Sequence, residues 1–230
     1  MIRAVLFDVD FTLARPGPEL SPEGYVRAGE RYGLALDPAR YEEARDTAFL
    51  DLQHHPDLDH DEQIWISFTE RIVRGMGGAP PASHDCAVEI TGRWARHENF
   101  ELYDDTLPVL REVRERGLKI GLVSNSARDV REFARHHALD IDAGISSFHH
   151  GKTKPHPSIF RAVLELLEVD PREALMVGDS VSDDIEGARA LGMQAVFVDR
   201  LCLKPDYDPR IETLADLSRF LEPVSDTNKS

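Results

Sequence analysis

Arg3-Ala4-Val5-Leu6-Phe7-Asp8-Val9-Asp10-Phe11-Thr12-Leu13 is the stretch on which the fold turns. Val5, Leu6 and Phe7 form a short continuous apolar segment, the pattern of a strand covered on both faces within a parallel sheet. The run stops abruptly at two carboxylates two residues apart, Asp8 and Asp10. Ligands of open α/β sheets bind in the crevice outside the carboxyl ends of the strands, so both acids stand where that rule puts chemistry. A strand followed by a polar turn, with Asp10 or Thr12 capping something local, accounts for the same residues without a function. The rest of the chain decides between the two.

After residue 100 strand and helix signals alternate. Pro108 to Arg116 carries Val109, Leu110 and Val113 at helical spacing and ends at Gly117. Ile120 to Val123 is an apolar run that terminates at Ser124-Asn125, and Ala143 to Ser146 reads as a further strand. Pro157 opens a helix with Ile159, Phe160, Val163, Leu164 and Leu167 on one face. Ala174 to Val177 is halted by Gly178-Asp179, a helix from about Asp184 to Leu191 stops at Gly192, and Ala195 to Val198 gives a last strand. This is the pattern of a parallel sheet wound by helices on both faces.

Residues 15–99 differ in kind. Helical spacing runs through Tyr41 to Leu52 and Ile64 to Val73, the loops around Arg15 to Pro22 and Gly75 to Pro81 are rich in Pro and Gly, and nothing reads as a strand. An all-helical insertion is expected there, with the sheet built from residues 1–14 and 100–230. The polar tail Pro223 to Ser230 is expected to fray.

Composition narrows the function classes. The chain has 230 residues, 41% hydrophobic and 30% charged, as in an ordinary globular protein large enough for a substantial core. No apolar run reaches the roughly 18 residues of a membrane span, and the residues after Met1 lack the succession of a secretory signal, so a cytoplasmic location is expected. Cys86 and Cys202 are far apart and form neither a disulfide framework nor a zinc pattern. Lys and Arg number 27 against 42 Asp and Glu, a formal charge of -15, which would repel a nucleic-acid backbone. A small anionic substrate is compatible with that field when a cation and positioned donors reverse it locally.

Three polar clusters besides Asp8-Asp10 fall at strand ends: Ser124-Asn125, Lys154 before Pro155, and Gly178-Asp179 with Asp183 and Asp184. In a parallel sheet all these ends share one edge. Several carboxylates in one crevice repel one another unless a cation intervenes, and Mg²⁺, which takes hard oxygen ligands and works with substrate phosphates, is the expected one.

Four segments together resemble the haloacid dehalogenase superfamily, in its phosphatase branch with a helical cap. They are Asp8-Val9-Asp10-Phe11-Thr12-Leu13, Leu122-Val123-Ser124-Asn125, Lys154-Pro155-His156-Pro157-Ser158-Ile159-Phe160, and Val177-Gly178-Asp179-Ser180 running into Asp184-Ile185-Glu186-Gly187-Ala188-Arg189-Ala190-Leu191-Gly192-Met193. They occur in the family's order across nearly the whole core. The resemblance implies a Rossmann-like doubly wound α/β core, with residues 15–99 as a cap that closes over substrate. It also implies roles: Asp8 as the nucleophile that forms an aspartyl-phosphate, Asp10 as acid and then base, and Ser124 and Lys154 on the phosphoryl group. Thr12 and Asn125 join these two in binding substrate. Asp8, the backbone carbonyl of Asp10 and Asp179 would hold Mg²⁺, with Asp184 supporting the metal's waters; Asp183 competes with Asp184 and can instead cap a helix. Lys154, unlike Lys152, directly precedes Pro155 as the pattern requires.

Asp10 also discriminates within the family, since members that displace halide from carbon lack an acid at this position. Phe11 departs from the family's commonest residue there, glycine. The expected activity is therefore Mg²⁺-dependent hydrolysis of a small phosphate monoester, with sugar phosphate, phosphoglycolate and nucleoside monophosphate all open as substrates. A phosphomutase of the same fold and a non-catalytic protein using Asp8 as phosphoacceptor are the alternatives. Arg15, Arg71, Arg74 and Arg93 are unranked candidates for substrate contacts. The run His54 to Asp61 matches no ligand template and reads as a solvated loop, as do His149-His150.

Overall fold

The sheet is assembled from strands whose apolar runs leave no face for water. The computed structural model describes residues 1–52 and 55–221; His54 and the tail segment Pro223 to Ser230 lie outside the described residues. The strands are β1 (Ala4–Phe7), β2 (Ala14–Pro16), β3 (Phe100–Leu102), β4 (Lys119–Ser124), β5 (Ala143–Ser146), β6 (Ala174–Gly178), β7 (Gln194–Val198) and β8 (Arg210–Ile211). Six of them form one sheet in the order β5-β4-β1-β6-β7-β8, all parallel. Every residue of β1 and β6 is buried, as expected where helices cover both faces.

That strand order positions the site. From β1 the chain winds outward through β4 and β5, then crosses to the other side of β1 and winds outward through β6, β7 and β8. The winding reverses beside β1, so the crevice at its carboxyl end is the place such a sheet offers a ligand. Parallel registers bring Phe7 level with Leu122 of β4 and Val177 of β6. The residues that follow, Asp8, Ser124 and Asp179, therefore emerge at one edge.

The helices are α1 (Pro22–Arg31), α2 (Tyr41–Leu50), α3 (Glu62–Gly75), α4 (Ala82–Trp94), α5 (Thr106–Glu115), α6 (Val130–His136), α7 (Ser147–His150), α8 (Pro157–Leu167) and α9 (Gly187–Ala190). Ile159, Phe160, Val163, Leu164 and Leu167 of α8 are all buried, and they share a core with Leu6, Val123 and Met176 of the sheet. The helical segment after β6 starts earlier than the pattern Asp184 to Leu191 suggests. Residues Val181–Glu186 form a turn of π-helix capped by Ser180, whose Oγ accepts from the Asp183 N–H at 3.2 Å. Asp183 is therefore inside the helix, and the capping role belongs to Ser180.

The chain divides into two compact units, Met1–Arg15 with the part from Leu102 onward, and Pro16–Glu101. The second unit packs α1 to α4 around Tyr25, Ala28, Ile72, Val73, Met76 and Ile90, with Tyr25 and Tyr41 in edge contact at 5.1 Å between centroids. Short strands do occur where the insertion begins and ends, because β2 pairs with β3. Arg93 is buried in this unit, held by Glu19 and Glu89. Arg71 donates to the Asp51 carbonyl at 2.8 Å and Arg74 pairs with Glu70, so these three arginines have structural partners. Among the described residues no helix is long and apolar enough to cross a membrane.

One glycine of the core is required by close approach. A Cβ at Gly121 of β4 would lie 2.8 Å from Val163 Cγ1 and 3.0 Å from Leu167 Cδ1, which ties the strand to α8 at closer than side-chain spacing. Gly121→Ala is expected to lower stability by about 1–3 kcal/mol through overpacking. Urea unfolding checks this, with a midpoint equal to wild type counting against it.

Candidate active site

A buried ammonium stands at the sheet edge, and it is enclosed by acids. Lys154 follows α7 and the loop Gly151 to Thr153, and its Nζ donates to Asp8 Oδ1 at 2.5 Å, Asp184 Oδ1 at 2.7 Å and the Val123 carbonyl at 3.1 Å. Lys154, Asp8 and Asp184 are all buried. Asp179 completes the group: carboxylate oxygens of Asp8, Asp179 and Asp184 all lie within 4.8 Å of one another.

Each side chain is held by its local backbone. Asp8 follows β1 and its N–H donates to the Val177 carbonyl at 2.9 Å, which keeps it in sheet register one residue beyond the strand. Asp184 Oδ2 accepts from the Ser180 N–H at 3.0 Å, closing the first helical turn after β6. A Cβ at Gly178 would collide with the Asp184 carboxylate, so the glycine before Asp179 is what lets that carboxylate fold back against the strand. Thr12 is buried and its Oγ1 donates to Asp179 Oδ1 at 3.4 Å.

Burial dominates the electrostatics. It pushes the Asp8 carboxyl up to about 7, against the pull of Lys154 and with help from Asp184 and Asp10. Burial likewise raises Asp179 well above the ordinary carboxylate range, with Asp8 and then Asp184 adding to it. Asp184 is raised by burial although Lys154 and the Ser180 N–H resist. Burial disfavours the charge on Lys154 too, but Asp184 and Asp8 outweigh it and hold the ammonium protonated. One ammonium thus faces three carboxylates that cannot all ionise cheaply. This hard, oxygen-only donor set fits a divalent cation such as Mg²⁺.

The loop Val9 to Leu13 presents the second acid. Asp10 is partly exposed, and its Oδ1 accepts from Nη2 of Arg128. Phe11 adopts φ +62°, the left-handed region in which glycine is unstrained, and its N–H donates to the Ala14 carbonyl at 2.6 Å. This explains why glycine suits the position, and the phenyl ring is left 39% exposed beside the acid.

Two expected substrate-binding residues have other work. Asn125 accepts from the Lys154 N–H at 2.6 Å and donates to the Lys154 carbonyl at 3.0 Å, so its carboxamide clamps the lysine's backbone. Thr12, facing Asp179 from a fully buried position, is likewise a support. Ser124 ends β4, buried. His149 and His150 lie in the short helix α7, not in a loop; they meet Ser146 Oγ at 3.0 Å and Ser158 Oγ at 2.7 Å. In the insertion His55, Asp57 and Asp59 bring possible ligand atoms within 4.8 Å, with only Asp57 exposed; a histidine paired with a carboxylate, as His55 is with Asp59 at 3.6 Å, needs no ion to form.

Arg128 and Arg200 were not legible as site residues. Arg128 looks like a solvated turn residue because it directly precedes Asp129, which caps the next helix. Arg200 stacks 3.8 Å over Tyr103, pairs with Asp105 at 2.9 Å and donates to the Thr12 carbonyl at 2.7 Å, so it fixes the far end of the loop Val9 to Leu13.

Acids and a buried lysine converge at the switch point of a parallel sheet, an arrangement suited to hydrolytic chemistry on an anionic substrate. The chain belongs to the haloacid dehalogenase-like hydrolases, whose family pattern matches residues 2–192. It is 35% identical over 258 residues to a glyceraldehyde 3-phosphate phosphatase of Pyrococcus abyssi, covering 100% of this chain and 98% of that protein. A glyceraldehyde 3-phosphate phosphatase of Methanopyrus kandleri is 31% identical over 224 residues, covering 91% and 89%. Among solved structures, a haloacid dehalogenase-family phosphatase from Thermococcus onnurineus superposes with a TM-score of 0.67 at 29% identity, covering 96% of this chain and 99% of that one.

The raised pKa of Asp8 sets a pH dependence. A carboxyl whose folded pKa lies above its unfolded value contributes stability that is full below the ordinary carboxylate range and is lost as pH rises through about 7. In chelator, the melting temperature is expected to fall between about pH 5 and about pH 8, and added Mg²⁺ should reduce the fall by favouring ionised carboxylates. Asp8→Asn should flatten the slope in chelator; an equal slope in that variant would assign the effect to other groups.

Proposed function

We propose that the protein is a phosphatase that hydrolyses a small-molecule phosphate monoester through an aspartyl-phosphate on Asp8. The observation that carries this reading is the pairing of Asp8 Oδ1 with the enclosed Lys154 ammonium, with a second acid, Asp10, two residues along on a more open loop. A carboxylate fixed by a buried cation at a switch-point crevice is placed as a nucleophile, and the exposed one as a proton carrier.

In this reading an Asp8 oxygen forms a bond to phosphorus while the ester P–O bond breaks, and the departing oxygen takes a proton from Asp10. Asp10, now ionised, removes a proton from water as the water oxygen bonds to phosphorus; the bond from phosphorus to Asp8 breaks and inorganic phosphate leaves. Ser124 hydrogen-bonds a phosphoryl oxygen, and Lys154 balances the charge gathering on the phosphoryl group and Asp8. Asn125 keeps Lys154 in place by holding its backbone on both sides. Asp8, the carbonyl of Asp10 and Asp179 would hold Mg²⁺, with Asp184 in support, and the cation when bound would offset the negative charge of carboxylates and phosphate together. The helical insertion serves as the cap domain, and the substrate is a small phosphorylated metabolite.

Asp8→Asn is expected to abolish turnover with Mg²⁺ present, since an amide oxygen is no phosphoryl acceptor. Activity near wild type, in protein checked for deamidation, would remove the covalent step. Phosphate release across a panel that includes glyceraldehyde 3-phosphate, phosphoglycolate, sugar phosphates and nucleoside monophosphates tests the activity itself. Isomerised product without free phosphate would mark a mutase, and no release or transfer on any member would leave Asp8 as a bare phosphoacceptor.

Asp10→Asn should cost about 10²- to 10⁴-fold in hydrolysis of an alkyl phosphate. An aryl phosphate, whose leaving oxygen needs no proton, should lose much less in the first step. Equal losses in single-turnover phosphorylation would show that Asp10 is not the acid.

A further inference from the structure

Arg128 is 2% exposed, one of the largest fully buried side chains in the protein, yet it carries a charge that cannot be neutralised by losing its proton. A buried guanidinium of this kind persists only when paired. Its Nη2 donates to Oδ1 of Asp10, and its carbon lies 5.7 Å from the centroid of the Phe133 ring. The backbone on either side is tied down. Upstream, Asn125 is locked to Lys154 and the Ser126 carbonyl accepts from the Phe148 N–H at 3.3 Å; downstream, Asp129 caps α6 by accepting from the Arg131 N–H at 2.8 Å. The guanidinium is thus carried by a rigid segment that also joins the nucleophile's lysine to the sheet.

We propose that Arg128 is a positioning residue for proton transfer: by holding Oδ1 it fixes the Asp10 carboxyl plane and leaves Oδ2 as the oxygen that exchanges a proton with the leaving group and then with water. The inference rests on the role given to Asp10 above. Arginine has no acceptor, so a proton on Asp10 cannot be directed at it, and accepting a charged donor makes Oδ1 the less basic oxygen and favours protonation of Oδ2. A terminal carboxyl torsion is otherwise broad and would present either oxygen in many orientations. Proton transfer in flight is sensitive to such misplacement, with about 1 Å costing about 10²-fold. Asp10, on a loop and partly exposed, has greater need of such a brace than Asp8, which sits in sheet register.

The test is a double-mutant cycle in the Mg²⁺-loaded protein, with glycerol phosphate as alkyl substrate and p-nitrophenyl phosphate as aryl substrate. Phosphorylation is followed in single turnover, and melting temperature is recorded for each variant. Arg128→Met, similar in length and uncharged, is expected to slow the alkyl substrate by about 10- to 100-fold and the aryl substrate by less than about threefold. In an Asp10→Asn background, where the amide still offers Oδ1 to the guanidinium, adding Arg128→Met should cause no further loss on the alkyl substrate. Arg128→Lys, a single-point donor, should lie between wild type and Arg128→Met on the alkyl substrate, and its selectivity decides the matter if Arg128→Met does not fold.

Equal slowing of both substrates, or losses that multiply with those of Asp10→Asn, would reduce Arg128 to a structural anchor and overturn the proposal. A wild-type alkyl rate in folded Arg128→Met would do the same. If Asp10→Asn alone leaves the alkyl substrate untouched, the role of Asp10 fails and this inference falls with it, an outcome distinguished by the activity of that single variant.

Discussion

The structure depends on one ammonium held among acids. Lys154 Nζ reaches Asp8, Asp184 and the end of β4 in a space closed to water. Without it three carboxylates would share a crevice whose burial already drives them toward protonation. With it, Asp8 is oriented and one negative charge is balanced, but the group remains short of positive charge. That shortfall is what fits the same cluster to a cation. Against an overall charge of -15, Lys154 is a local concentration of positive charge.

Much of the surrounding fold is consequent on placing that lysine. Its backbone is gripped at both N–H and carbonyl by Asn125, which begins the loop after β4, so the motif at one strand end is built to serve the motif at another. Gly178 does the matching task on the other side of β1, where the lack of a side chain admits the Asp184 carboxylate beside the strand. Glycine and asparagine here act at one remove from chemistry, through the geometry of groups that touch it.

What could be read from the chain alone follows a physical division. Five of the six sheet strands were legible because buried strands are uninterrupted apolar runs, with Leu6, Val123 and Met176 all in the core, whereas β8, two residues long with Arg210 in it, shows no such run and was missed. The acids at their ends were legible because parallel strands place every carboxyl end on one edge. Contacts between distant segments that follow no period were not. Arg128 meets Asp10 across more than a hundred residues, and its surroundings, Ala127 before it and the helix cap Asp129 after it, are those of a surface turn. Thr12 and Asn125 were picked out from their places beside Asp10 and Ser124, while the contacts they make to Asp179 and Lys154 follow no period in the sequence. The last helix was placed late because Ser180, not Asp183, caps it, and the wide π turn that follows has no 3.6-residue signature.

The places where local rules are broken lie close together, and that proximity is itself informative. Phe11 occupies a left-handed position suited to glycine, at a cost of about 1–2 kcal/mol. Arg128 is charged where the surrounding burial favours apolar groups, and Val181–Glu186 winds too wide for an α-helix. All three lie in segments that leave the carboxyl ends of β1, β4 and β6. Strain and buried charge persist only where the rest of the structure over-determines them, and here the parallel core on both sides of β1 supplies that excess. Asp8 is held by the strand behind it, whereas Asp10, partly exposed on the loop that follows, is held by Arg128 from across the sheet edge.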